Sequence, residues 1–152
     1  WPEPAQAVLE GSNRERMEFL DFSEKMIELA KQKMPNSHLI KWDFANGLPK
    51  ELDHHRYDFI ISSYAFHHID DSAKVHLLNV LQDYLNENGA ILIGDISFET
   101  KEDLGKCKKQ CADGWDDEEY YIVYKTFSKD LNFKSTNYKQ ISHCAGVLEI
   151  NI

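Results

Sequence analysis

Apolar residues recur along this chain in two rhythms, and the rhythms alternate. Residues 17–20, Met-Glu-Phe-Leu, read as a short strand. Met26, Ile27, Leu29, Ala30 and Met34 then recur at the spacing of a helix with one apolar side. Ser23 stands at its N-cap position, Glu24 lies in its first turn, and Pro35-Asn36 ends it. Residues 38–42 read as a second strand, followed by a polar link with Gly47 and Pro49. Residues 57–63, Tyr-Asp-Phe-Ile-Ile-Ser-Ser, are apolar through their centre, the pattern of a strand buried on both faces. Residues 71–85 predict an amphipathic helix with Val75, Leu77, Leu78, Val80, Leu81, Tyr84 and Leu85 on its apolar side. Asn86-Glu87-Asn88-Gly89 stops it, with Gly89 placed for a left-handed turn. Residues 90–96 are a further buried strand. Residues 101–110 and 118–130 read as helices, with a break at 112–114. The rhythm then changes to alternation over 132–142 and 145–150, two antiparallel strands joined by a tight turn at His143-Cys144.

Strands alternating with helices predict an α/β fold: a three-layer sandwich whose sheet is mostly parallel and ends in an antiparallel C-terminal strand pair. The length of 152 residues suits one domain spanning 1–152, and 42% hydrophobic against 28% charged residues is an ordinary globular balance. The net charge of −9 works against a nucleic-acid or anionic-membrane partner, because both draw their affinity from Lys and Arg. No apolar run is long enough for a membrane span, and Trp-Pro-Glu-Pro at the start carries no signal-peptide pattern. Cys107, Cys111 and Cys144 are an odd, sparse set, expected as reduced thiols in the cytoplasm.

In an open α/β sheet, ligands bind beyond the carboxyl ends of the strands. That rule selects Asp21, Phe22, Asp43, Phe44, residues 62–68 and residues 95–97. A carboxylate at a strand end can accept hydrogen bonds from a ribose diol, and an adenine needs apolar walls and an acceptor for its amino group. Asp21 suits the ribose; Asp43, Phe22 and Phe44 suit the adenine. An acid after a strand is also a common turn former or helix cap, and Asp21 alone fits that role equally well.

Residues 20–30, Leu-Asp-Phe-Ser-Glu-Lys-Met-Ile-Glu-Leu-Ala, resemble the second strand and helix of Rossmann-like (class I) S-adenosylmethionine-dependent methyltransferases. Trp42-Asp43-Phe44 is similar to the adenine-contact motif of that family. Residues 57–69 resemble its fourth strand and the following loop, and residues 85–93 its Gly-led fifth strand. The Ser-Tyr-Ala-Phe-His-His stretch resembles small uncharacterised bacterial methyltransferases. The resemblance implies S-adenosylmethionine as cofactor and methyl transfer to a small-molecule acceptor. It implies cofactor contacts from Asp21, Phe22, Ser23, Met26, Asp43, Phe44, Ser63, Tyr64, Ala65 and His68.

The family also expects a first strand and a Gly-rich loop, then a helix, before the second strand. Ala7-Val8-Leu9-Glu10 and Gly11 could end such a strand, but a parallel crossover needs a dozen or more residues and the span from about 10 to 17 is too short. Either residues of the natural chain are missing there, which is the expectation, or the segment is lost and cofactor binding is impaired.

Methyl transfer from a sulfonium can proceed by positioning, with a base where the acceptor must lose a proton. His67 and His68 are the candidates for that base, and His143 is a further one. Trp115, Tyr120, Tyr121 and Tyr124 could line an acceptor site or simply pack. Cys107 and Cys111 share a helix face, and His54-His55 and His143-Cys144 add ligand types, but no recognised zinc spacing exists, so no metal is expected. Two other functions stay open: a non-catalytic module that kept the fold, and a nucleotide-dependent oxidoreductase, whose Gly-rich fingerprint is also missing.

Overall fold

A computed structural model describes residues 17–111 and 114–152, which fall into two compact units, Trp1–Lys50 and Glu51–Ile152. The expected first strand at residues 7–10 and the short span after it lie outside the described residues.

The first unit contains a βαβ motif: β1 (Glu18–Asp21), α1 (Glu24–Lys33) and β2 (His38–Lys41). Ser23 caps α1 as expected, its hydroxyl accepting from Met26 N at 3.4 Å, and Lys31 and Lys33 suit the helix's negative C-terminal end. The strands pair in parallel, with Asp21 opposite Lys41, so both strand ends point the same way. Ile40 is the buried residue of β2. Phe22, Met26 and Leu29, at helical spacing, stay 58%, 50% and 42% exposed.

The second unit runs β3 (Tyr57–Ser63), α2 (Asp71–Leu81), β4 (Leu85–Phe98), α3 (Lys101–Gln110), β5 (Ile122–Val123), the single turn α4 (Tyr124–Phe127), β6 (Ser135–Gln140) and β7 (Ala145–Asn151). Its sheet is ordered β3-β4-β7-β6, and β5 pairs with the end of β4. The core is built on β4 and β7, through Ile91, Ile93, Phe98, Leu148 and Ile150, with Leu78 of α2 and Phe127 of α4 also buried. The α/β expectation holds, but the antiparallel part is larger than expected. β3–β4 and β4–β5 are parallel, whereas β7 returns beside β4 and is antiparallel both to it and to β6.

Three local expectations change. β3 is not buried on both faces: Phe59 is 57% and Ile61 45% exposed, and as alternate residues they share one face of the strand. The helix expected over 71–85 ends at Leu81 and tightens into a 3-10 turn, and Leu85 already pairs with Tyr57. Phe59 pairs next with Ala90, so the intervening residues form an irregularity in β4. Asn88, not Gly89, takes the left-handed conformation there, with φ of 65°. Gly89 is needed for space instead, since a Cβ would stand 2.9 Å from the Asn86 carbonyl. The helix expected over 118–130 is replaced by β5, α4 and a final 3-10 turn. Tertiary contacts override local propensity: Ile122 pairs with Ser97 and is 1% exposed, and Tyr120 N donates to His67 O at 2.8 Å.

Candidate functional site

In the first unit, Asp21 ends β1 and its Oδ1 accepts from Ser23 N at 2.8 Å. The carboxylate therefore does shape the strand-to-helix turn, but its other oxygen takes no hydrogen bond among the described residues. Phe22, next in the chain, and Met26, in the first turn of α1, are both exposed. Asp43 and Phe44 follow β2 on a 3-10 turn closed by Asn46 N to Asp43 O and Gly47 N to Phe44 O, each at 3.0 Å. Gly47, with φ of +81°, ends that turn, and its carbonyl accepts from Trp42 Nε1 at 2.8 Å. Trp42 N in turn donates to Asp21 O at 3.0 Å, tying the two strand ends together.

In the second unit, Ser63 ends β3 and Tyr64 follows in a left-handed conformation, φ 52°. A bulky residue pays for that geometry, and such strain concentrates at functional sites. Tyr64 N donates to Gly94 O at 2.9 Å, and its side chain is 53% exposed. Ala65 leads into the 3-10 turn Phe66–His68.

That turn is built around Asp95, an interior residue of β4 that is 2% exposed. Its Oδ2 accepts from Phe66 N at 2.7 Å and from His67 N at 3.3 Å. Its Oδ1 accepts from Ile96 N at 2.7 Å and lies 2.5 Å from His67 Nδ1. A carboxylate can only accept, so Nδ1 of His67 carries the hydrogen and Nε2 is the basic nitrogen of the neutral ring. This is the carboxylate–imidazole arrangement that orients a general base.

His68 does not join it. Its ring tilts against His67 at 4.1 Å, and its Nδ1 lies 3.1 Å and 3.2 Å from the two oxygens of Glu119. Residues 119–120 thus run past the histidines. They are held there by Lys74 of α2, whose fully buried Nζ donates to Tyr120 O at 2.7 Å and to Asp71 Oδ1 at 2.9 Å. Of the four aromatic residues considered for an acceptor site, Tyr120 is exposed near this turn. Trp115 and Tyr121 pack on each other at 4.6 Å and line an open concavity of about 190 Å³ with Leu104, Lys108 and Glu119. Burial, and then Asp116, raise the Tyr121 hydroxyl above its ordinary value. Tyr124 turns to the sheet, donating to Thr136 O at 2.9 Å and stacking on Tyr138.

The sequence reading misses Lys74 and the partners of Asp95. Asp95 is selected there only as one of the strand-end positions, and nothing local reveals its partner. Lys74 leaves a signal: it falls on the buried stripe of α2 with Leu77, Leu78 and Leu81.

Comparison with known proteins agrees with this architecture. A family model described as a methyltransferase domain matches residues 4–89. An uncharacterized methyltransferase of Oceanobacillus iheyensis is 34% identical over 129 residues, covering 76% of this chain and 59% of that protein. Malonyl-[acyl-carrier protein] O-methyltransferase 1 of Ilyobacter polytropus is 32% identical over 107 residues, 66% of this chain and 38% of that one. The chain thus spans less than two thirds of the length of these curated relatives. Among solved structures, the plantazolicin methyltransferase BpumL, in complex with a triazolic desmethylPZN analog and SAH, is similar in fold. Its TM-score is 0.68 at 13% identity, over 99% of this chain and 72% of that one. Magnesium protoporphyrin IX methyltransferase from Synechocystis PCC 6803, with bound SAH, gives a TM-score of 0.62 at 17% identity, over 90% of this chain and 64% of that one. The family model covers more than half of the residues and takes in both strand ends of the first unit as well as the histidine turn, so this chain belongs to the methyltransferase domain family.

Proposed function

We propose that this chain transfers a methyl group from S-adenosylmethionine to a small-molecule acceptor, with His67 as general base. The observation that carries the chemistry is the 2.5 Å contact between His67 Nδ1 and buried Asp95. Family membership supplies the reaction class.

Residues at the strand ends of the first unit suit the cofactor's nucleoside. Asp21 keeps an oxygen for the ribose hydroxyls, with exposed Phe22 and Met26 as apolar walls and Ser23 holding its turn. Asp43 and Phe44 are assigned to the adenine. Ser63, Tyr64, Ala65 and His68, around the histidine turn, are assigned to the reacting end. When bound, S-adenosylmethionine supplies a methyl group on cationic sulfur and leaves as S-adenosylhomocysteine. His67 Nε2 takes the proton from the acceptor's hydroxyl or amine as that atom gains the methyl group, and Asp95 stabilises the resulting imidazolium. An acceptor that has no proton to lose would need only positioning. Three free thiols suit work in the cytoplasm.

Isothermal titration with S-adenosylhomocysteine tests the cofactor reading. The chain is expected to bind, and Asp21→Ala to bind about ten- to a hundredfold more weakly, as for lost hydrogen bonds to a charged group. Equal affinity would remove Asp21 from the site. No binding by the folded chain would favour a non-catalytic module.

A further inference from the structure

Two of the three cysteines of this chain converge with a histidine at a place remote in sequence from the histidine turn. Cys107 lies in the last turn of α3 and Cys111 is its C-cap, with Cys111 N donating to Cys107 O at 2.9 Å. The helical repeat aligns the two side chains, and their sulfurs are 4.0 Å apart. His143, in the turn between β6 and β7, comes to the same point: one ligand atom from each of Cys107, Cys111 and His143 lies within 4.8 Å of the others.

We propose that Cys107, Cys111 and His143 bind one thiophilic divalent ion, zinc by ligand chemistry. A tetrahedral zinc with bonds of about 2.3 Å to sulfur separates its sulfurs by about 3.8 Å, so the observed 4.0 Å needs almost no adjustment. A disulfide would need the sulfurs at about 2.05 Å. Thiolate sulfur and imidazole are the ligand types zinc takes, and soft thiolates select zinc over hard cations such as magnesium or calcium. Exposed His143 and buried Cys107 place the ion at the edge of the unit, open to loading from solvent.

The supporting frame is rigid, as a metal site requires. Ser142 Oγ accepts from Ala145 N at 3.1 Å and from Cys144 N at 3.3 Å. Gln140 Nε2 donates to Ser142 O at 2.8 Å and to Ser97 O at 3.1 Å, fixing the turn to β4. At the other end of α3, Thr100 caps the helix by accepting from Asp103 N at 3.2 Å. The spacing in sequence hides the site, because its two halves lie some thirty residues apart and meet only in the fold.

The test uses the full chain, purified with a reductant, stripped of metal and titrated with cobalt(II) and then zinc. One equivalent of cobalt with a thiolate-to-metal charge-transfer band, displaced by one equivalent of zinc, is expected. His143→Ala and Cys111→Ser, at sites that are not fully buried, are expected to keep the wild-type circular dichroism and to lose more than about tenfold in zinc affinity. Zinc should also raise the unfolding temperature of the wild-type chain and not that of His143→Ala. A folded wild-type chain that takes up no metal while all three thiols react with a disulfide reagent would overturn the site. So would a Cys107–Cys111 disulfide with no metal, or equal zinc affinity in the variants.

Discussion

At the scale of single residues, the pair formed by His67 and Asp95 concentrates most of the chemistry in few atoms. Asp95 holds two backbone N–H groups of the histidine turn as well as the ring, so its replacement acts on structure and on function together. In Asp95→Asn, an amide NH2 would confront donors that now meet an oxygen. Leaving one or two buried donors unsatisfied costs about 1–3 kcal/mol each. Urea unfolding is expected to show a loss of that size; an unchanged midpoint would mean the turn does not depend on Asp95. His67→Asn separates the roles. It should retain affinity for S-adenosylhomocysteine yet lower turnover of a proton-losing acceptor by about 10²- to 10⁴-fold. Retained turnover would leave His67 a packing residue. The legibility of these residues follows their range. Asp21 and Ser23 act on neighbours two and three positions away, so a strand-end acid and an N-cap serine announce themselves. Asp95 acts on residues 28 and 29 positions away from inside a strand, and no periodicity carries that information.

At the scale of elements, the junction between α2 and β4 shows what local rules catch and what they miss. A turn rich in Asn and Gly was legible as the end of a helix, and the helix does end there, a turn early. The rules cannot say which residue takes the unusual backbone, since Asn and Gly both tolerate positive φ. The pairing of Leu85 with Tyr57 settles it, starting the strand before the irregularity and leaving Asn88 at φ 65°. Asn86 Nδ2 then reaches Asp58 Oδ1 at 2.9 Å across the strands. Gly89→Ala therefore places its methyl 2.9 Å from backbone and 3.1 Å from the Leu85 side chain, where only backbone movement makes room. The expected loss is about 1–3 kcal/mol, the range for overpacking, read as a lower unfolding midpoint. Asn88→Gly tests the other half of the assignment. Relief of a left-handed backbone, worth about 1 kcal/mol, offsets the entropy that glycine gains in the unfolded chain, of similar size, so stability should stay near wild type. The same competition explains residues 118–123: helical spacing was present, but Ile122 is buried and pairs with Ser97 of β4 instead of completing a helix.

At the scale of the whole molecule, charge decides which partners are within reach. The chain carries 17 Lys and Arg against 26 Asp and Glu, a net −9. Several of the exposed cations are also engaged with acids: Lys41 with Glu24, Lys108 with Asp117, Lys106 with Glu102 and Lys125 with Glu99. Each pair contributes little to stability in water, yet together they break up the cationic surface that a phosphate backbone would need. Salt provides the discriminating variable. A protein that binds DNA through phosphates gains affinity steeply as salt falls, because counterion release is then worth more. Here the net repulsion also grows as the screening length rises from about 8 Å at 0.15 M salt to about 30 Å at 0.01 M. Fluorescence polarisation with a labelled duplex is therefore expected to show dissociation constants weaker than about 10⁻⁴ M at 0.15 M salt, with no gain on dilution of the salt. A rise into the micromolar range at low salt would mean that a local basic patch outweighs the net charge, and would move the methyl acceptor from small molecules to nucleic acid.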